Sequence, residues 1–175
     1  MKTIFKACTP RNEVLKGELK DEIFRASLTD VYQEKAEDVY QNPRVFFEHT
    51  YRTDGLRTLL NEALGRLTGA KAGNSPVIRL ETSFGGGKTH NLIGLYHVAS
   101  GKVNSKMISD LLPSKLIPEK PIRTISLIGS DLDPGGGMKH GKVTTFTLWG
   151  EMVYQRGGLQ AYKMMEENDK NRGRP

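Results

Sequence analysis

The residues best suited to chemistry lie in one run, Thr82-Ser83-Phe84-Gly85-Gly86-Gly87-Lys88-Thr89-His90. Three consecutive glycines leave backbone N–H groups open to close approach, where side chains would block a ligand. The Lys-Thr pair after them supplies an ammonium and a hydroxyl. Together these groups suit a nucleoside triphosphate: N–H groups cradle the phosphate oxygens, the lysine neutralises the outer phosphates and the threonine holds magnesium. The expected cofactor-binding loop is Phe84, Gly85, Gly86, Gly87, Lys88, Thr89 and His90, for ATP and Mg2+. Within it Lys88 is the expected catalytic cation and Thr89 the expected metal ligand. The usual spacing is Gly, four residues, then Gly-Lys-Ser/Thr. Here Thr82 stands where the first glycine belongs, so the turn is expected to begin at Gly85.

Such a loop needs a strand before it and a helix after it; without them it is a glycine-rich surface turn. Val77, Ile78 and Leu80 supply an apolar run read as the strand. Leu92, Ile93, Leu95, Tyr96 and Val98 supply the helical spacing, and a helix starting at the loop turns the positive end of its dipole toward the ligand. Upstream, residues 15–40 read as helix, broken at Asn42-Pro43, with Pro43 suited to the first turn of another. Thr53 or Asp54 can cap a third helix whose Leu56, Leu59, Leu60, Ala63, Leu64 and Leu67 share one face, and Gly69 ends it. Downstream, Ser100-Gly101 stops the chain, and residues 107–112 read as a short helix. Pro113, Pro118 and Pro121 then lead into a second strand at residues 122–128. Residues 131–137 read as a loop, and residues 147–156 as a helix with Trp149, Met152 and Val153 inward. Gly157-Gly158 ends that helix, residues 159–167 form another, and residues 168–175 are a frayed polar tail.

Strand, helix and strand in this order imply a right-handed parallel unit with its ligand at the strands' carboxyl ends. The expected fold class is α/β, with a parallel sheet behind a phosphate-binding loop and a helical N-terminal region. The regions are 1–74, helical; 75–167, nucleotide-binding core; and 168–175, tail. Two parallel strands cannot cover both of their faces, so the sheet is expected to be incomplete at its C-terminal side and the chain cut short there.

With 175 residues, 37% of them hydrophobic and 26% charged, the composition is that of one globular domain. No apolar run reaches the roughly 18 residues of a membrane span, and no signal-peptide core follows Met1. One cysteine, Cys8, excludes an intrachain disulfide framework and a cysteine-based zinc site, which points to the cytoplasm. The net charge of +6 permits nucleic-acid contact, but the lysines and arginines are dispersed.

Other groups invite weaker readings. Hydrolysis needs an acidic residue at the end of an apolar strand, and Asp131 is the candidate, although a loop-capping aspartate fits it better. Asp131 and Asp133 lack the further oxygen ligands of a calcium site. His90 and His97 are seven apart, where a helical metal pair needs three or four, so packing or exposure is expected. Residues 135–142, Gly-Gly-Gly-Met-Lys-His-Gly-Lys, read as a mobile loop or as a second phosphate or DNA-backbone contact.

Several segments in one order resemble a known family: Pro10-Arg11-Asn12-Glu13-Val14-Leu15-Lys16-Gly17-Glu18-Leu19-Lys20-Asp21-Glu22-Ile23-Phe24, Val39-Tyr40-Gln41-Asn42-Pro43, Gly55-Leu56-Arg57-Thr58-Leu59-Leu60, Phe84-Gly85-Gly86-Gly87-Lys88-Thr89-His90, Asp133-Pro134-Gly135 and Thr147-Leu148-Trp149-Gly150-Glu151. From Thr9 to about Tyr162 the chain is similar to the N-terminal part of the large bacterial ATP-binding proteins of domain-of-unknown-function family 499. The resemblance implies an AAA-like P-loop ATPase of phage-defence or DNA-modification loci, acting with DNA, a DNA methyltransferase or helicases, as a homo-oligomer whose neighbouring subunit supplies an arginine. Family members run several-fold longer, with their acidic strand after the end of this sequence. Only residues 85–89 carry over, as the ATP and magnesium site. A nucleotide-dependent binding scaffold without hydrolysis is the alternative function. A small-molecule or nucleotide kinase is the weaker third, because no Arg-rich lid or acceptor-binding segment is present.

Overall fold

The protein was analysed as a computed structural model, which describes residues 8–10, 12–17, 25–83, 85–129 and 135–173. Its helices are α1 (Asn12–Lys16), α2 (Leu28–Tyr32), α3 (Asp38–Gln41), α4 (Pro43–Glu48), α5 (Asp54–Leu67), α6 (Lys88–Ala99), α7 (Leu148–Lys163) and α8 (Glu166–Lys170). Two strands, β1 (Met138–His140) and β2 (Val143–Thr145), pair antiparallel with Lys139 opposite Thr144.

The first helices start where their capping chemistry requires. Asn42 accepts a hydrogen bond from the Arg44 N–H and Pro43 takes the first turn of α4, so the Asn-Pro pair caps the helix that it separates from α3. The Thr53 hydroxyl accepts from the Leu56 N–H at 3.1 Å to open α5. Gly69, with a φ of 78°, reverses the chain after α5 where a side chain would be strained.

Leu56, Leu60 and Leu64 of α5 pack with Phe46 and Phe47 of α4, Ile93 and Val98 of α6, and Val31 of α2. The Ser105–Ile108 and Ser114–Leu116 3-10 turns close the same core with Ile108 and Leu116. Gly94 lets α6 approach closely, because a Cβ there would sit 3.3 Å from Leu56 and 3.5 Å from Phe46. Helix α6 is thereby clamped by three other helices.

The expected α/β fold with a parallel P-loop NTPase sheet is not formed. The structure is mostly helical, and among the described residues its one sheet is the antiparallel β1–β2 pair. Residues 77–83 have no regular secondary structure and pair with no strand among the described residues, and Val77 is 77% exposed. Residues 121–128 likewise form no ladder among the described residues. A side-chain amide takes the neighbouring strand's part: Gln155 accepts from the Ser126 N–H at 2.8 Å and donates to its carbonyl at 2.7 Å. Near its other end, the Ile122 N–H donates to the Ala99 carbonyl at 2.8 Å. These apolar runs carry strand propensity, but a ladder also needs a backbone alongside.

Other expectations are corrected as well. The helix expected over residues 15–40 is instead α1 ending at Lys16, then α2 and α3, and residues 18–24 lie outside the described ones. The expected break at Gly157-Gly158 is present: Gly158, at φ 66° and ψ −163°, divides α7 into two helical segments. Trp149 is 51% exposed instead of inward. The tail expected to fray from residue 168 instead closes α8, with Asp169 fully buried. Residues 135–142, one reading of which was a loop, contain β1 and the Gly141-Lys142 turn into β2. Gly141 leads that turn with a φ of 63°, the pattern of a type II′ hairpin.

Candidate phosphate-binding site

The loop leads directly into α6. Gly87 is the helix N-cap in a left-handed conformation, with φ 74° and ψ 18°, and no side chain caps the helix. The first-turn N–H groups, beginning with Lys88 and Thr89, therefore lack an internal acceptor, and no acidic residue stands in that turn. An uncapped helix start clamped by a packed core is a fixed set of anion-binding donors.

Two glycines are required by the backbone. Gly85 has a φ of 77° and Gly87 one of 74°, and a Cβ on either would meet nothing within 4 Å. Gly86 is required by space, since a Cβ there would lie 2.5 Å from the Thr82 hydroxyl oxygen and 2.6 Å from its Cβ. Thr82 is outside the left-handed region, and the Gly86 N–H donates to the Ser83 carbonyl at 3.1 Å, so the turn closes from Ser83 and not from Thr82. The side chain at 82, where a glycine is usual, accounts for the crowding at 86.

Lys88 reaches back across this turn. Its ammonium donates to the Thr82 hydroxyl oxygen at 3.0 Å, the Thr82 carbonyl at 3.1 Å and the Ser83 carbonyl at 3.3 Å. A single cation thus gathers three oxygens of residues 82 and 83. The Thr89 side chain is exposed beside it. Phe84 lies outside the described residues, as do Asp131 and Asp133.

His90 faces the core. Its ring stacks on Phe46 with centroids 4.5 Å apart, and Nε2 lies 2.9 Å from the Thr50 hydroxyl. That hydroxyl donates to the Phe46 carbonyl at 2.6 Å, so His90 Nε2 is the donor to Thr50. Burial pushes the His90 pKa below its ordinary value and favours the neutral ring. His97, two turns further on along the same face, donates from Nε2 to the Tyr40 carbonyl at 2.7 Å. The two histidines therefore serve packing, and among the described residues no group of three or more His, Cys, Asp or Glu could hold a metal ion.

A second polar assembly lies behind the hairpin and escaped the sequence reading. Glu151 of α7 is fully buried and accepts from His140 Nε2, the Thr145 hydroxyl and the Gln155 amide, each at 2.6 Å. Asp169 accepts from the Phe146 N–H at 2.8 Å, the Thr147 N–H at 2.9 Å and the Tyr162 hydroxyl at 2.7 Å. Gly150 must lack a side chain, because a Cβ there would collide with that carboxylate. The sequence signal for the first cluster was Glu151 and Gln155 one turn apart on a helix; its partner His140 lies on another element.

The family model of the DUF499 N-terminal domain matches residues 3–175. The chain belongs to that family. Among curated proteins and among solved structures, none matches it. No helix of the described residues is long and apolar enough to cross a membrane.

Proposed function

We propose that this DUF499 N-terminal domain binds ATP with magnesium through the loop at the start of α6. The observation that carries the reading is the convergence of Lys88 and the uncapped helix start on a turn kept open by Gly85 and Gly87. In it the loop N–H groups hold phosphate oxygens, Lys88 exchanges its loop acceptors for the outer phosphates, and Thr89 presents its hydroxyl to the metal. His90 acts from behind, fixing the first turn of α6 against Phe46 and Thr50. The family resemblance supports an AAA-like ATPase of cytoplasmic phage-defence or DNA-modification systems, assembling with copies of itself and with DNA-acting enzymes.

The alternative, a scaffold whose interface is ordered by nucleotide without hydrolysis, is favoured by one feature. Residues 77–83 pair with no strand, so among the described residues no neighbouring strand brings a carboxylate beside Thr89. Calorimetric titration with ATP and magnesium tests the shared reading. Wild type should bind, and Lys88→Ala should lose at least tenfold in affinity, about 1.4 kcal/mol. Equal affinity for both proteins would remove the loop from consideration. Steady-state phosphate release by the same two proteins separates ATPase from scaffold.

A further inference from the structure

A cavity of about 480 Å³ lies where the turn after α2, the β1–β2 hairpin, residue 126 and α7 meet. It shares no lining residue with the phosphate loop, and its volume is in the ordinary range for small-molecule sites, roughly 300–1,000 Å³. The carboxylate and the side-chain carbonyl in its wall are already used. Glu151 receives three donors, and the Gln155 carbonyl oxygen receives the Ser126 N–H. What remains is a set of groups able to donate. The Ser126 hydroxyl is buried with no hydrogen-bond partner among the described residues. Lys139 has no ion-pair partner among them, and Lys35 donates only to the neutral Gln33 amide oxygen at 2.9 Å. His140 commits its Nε2 donor to Glu151 and enters the cavity wall as an aromatic ring.

A buried hydroxyl without a partner among the described residues, beside two exposed lysines that enter no ion pair there, suits an acceptor-rich, negatively charged occupant. Tyr154 stacks on the His140 ring with centroids 4.2 Å apart, which holds the imidazole flat and gives the cavity an aromatic wall. We propose that this cavity is a second ligand site, for a phosphate monoester whose phosphate meets Lys139, Lys35 and Ser126 and whose organic part lies against Tyr154 and the His140 ring. Glu151 is a positioning residue there, since it holds the imidazole and touches no ligand atom. The proposal is independent of ATP binding at α6.

The test uses the full chain carrying Lys88→Ala, without magnesium, so that the loop at α6 does not contribute. Phenyl phosphate is titrated by calorimetry and by NMR of the histidine side chains, with phenol and inorganic phosphate as part-ligands. Saturable binding of phenyl phosphate should move the His140 resonances, and phenol should not bind. Lys139→Gln and Ser126→Ala should each weaken binding about tenfold or more, and neither replaced side chain holds another element in place. His140→Gln keeps a donor for Glu151 while removing the aromatic ring, and it should weaken phenyl phosphate more than inorganic phosphate. Binding that is absent, or equal in Lys139→Gln and Ser126→Ala, would overturn the site. A short single-stranded oligonucleotide displacing phenyl phosphate would assign the groove to a nucleic-acid backbone and overturn the small-molecule assignment.

Discussion

The Lys88 ammonium lies 3.0 Å from the Thr82 hydroxyl oxygen, so the residue that replaces the usual first glycine also anchors the lysine of the loop. The hydroxyl competes with phosphate for that ammonium. Thr82→Val removes this acceptor while keeping the side-chain volume beside Gly86. ATP affinity of Thr82→Val should therefore equal or exceed that of wild type by up to about threefold, the worth of one exposed hydrogen bond near 0.6 kcal/mol. Calorimetry decides it, and a loss beyond tenfold would mean that Thr82 helps to bind the nucleotide.

The glycines should separate by cause. Gly86→Ala forces Cβ against Thr82 and should distort the loop, weakening ATP binding by at least tenfold. The double variant Gly86→Ala/Thr82→Gly removes the obstacle and should recover most of that loss. Gly85→Ala has open space but a φ of 77°, so its strain should survive Thr82→Gly. Affinities of wild type, Gly86→Ala, Thr82→Gly and the double variant form a double-mutant cycle. No recovery of Gly86→Ala by Thr82→Gly would show that Thr82 is not what constrains residue 86.

Much of the helical core was legible because its signals are local. Asn42-Pro43 and Thr53 are caps that act on residues two or three positions away, and Leu56, Leu60 and Leu64 mark a helix face by spacing alone. The loop was legible for the same reason, since glycine, lysine and threonine act within one turn. Strands were not legible, because whether residues 77–83 and 121–128 form a ladder depends on a neighbour that their own sequence does not contain. At Ser126 that neighbour is the amide of Gln155, twenty-nine positions on. The Glu151 cluster was hidden similarly: His140 and Thr145 join it only after a hairpin turned by Gly141-Lys142, a pair with weaker turn character than Asn-Gly.

His97 makes the core sensitive to mild acid. It is buried, its Nδ1 lacks a partner among the described residues, and burial lowers its pKa below the ordinary 6.5, helped by the nearby Lys102 charge against the opposing Tyr40 hydrogen bond. The folded state therefore binds this proton less readily than the unfolded chain. Its stabilising contribution is complete above pH 6.5 and declines as the pH falls below that value. His90 is shifted in the same direction and titrates in the same window. His97→Phe should lose about 1 kcal/mol at pH 8, where the Tyr40 carbonyl loses its donor. Its melting temperature should then fall less than that of wild type between pH 7 and pH 5. Parallel melting curves for the two proteins across that range would place the acid sensitivity elsewhere.

Asp169 should govern a separate, more acidic transition. Burial alone would raise its pKa, but hydrogen bonds from Thr147, the Phe146 N–H and Tyr162 outweigh it, and the carboxyl is held below the ordinary 3.8. The same contact and burial push the Tyr162 hydroxyl up, so it stays a donor across the physiological range. Because the folded pKa is depressed, the stabilisation is complete above the unfolded value and disappears as the pH falls through the folded one. Asp169→Asn replaces an acceptor oxygen with an amide that faces the same donors, and should cost about 3 kcal/mol at pH 7. Since Thr147 caps α7 and the Asp169 carboxylate fixes Thr147, the damage should centre on α7 and the hairpin. Hydrogen exchange should rise there while Ile93 and Leu60, in the helical core, stay protected. Lowering the pH toward 3 should narrow the stability gap between wild type and Asp169→Asn, as wild type loses its carboxylate. A gap independent of pH from 7 to 3, measured by denaturant melts, would show that the asparagine acts through shape and not through the lost charge.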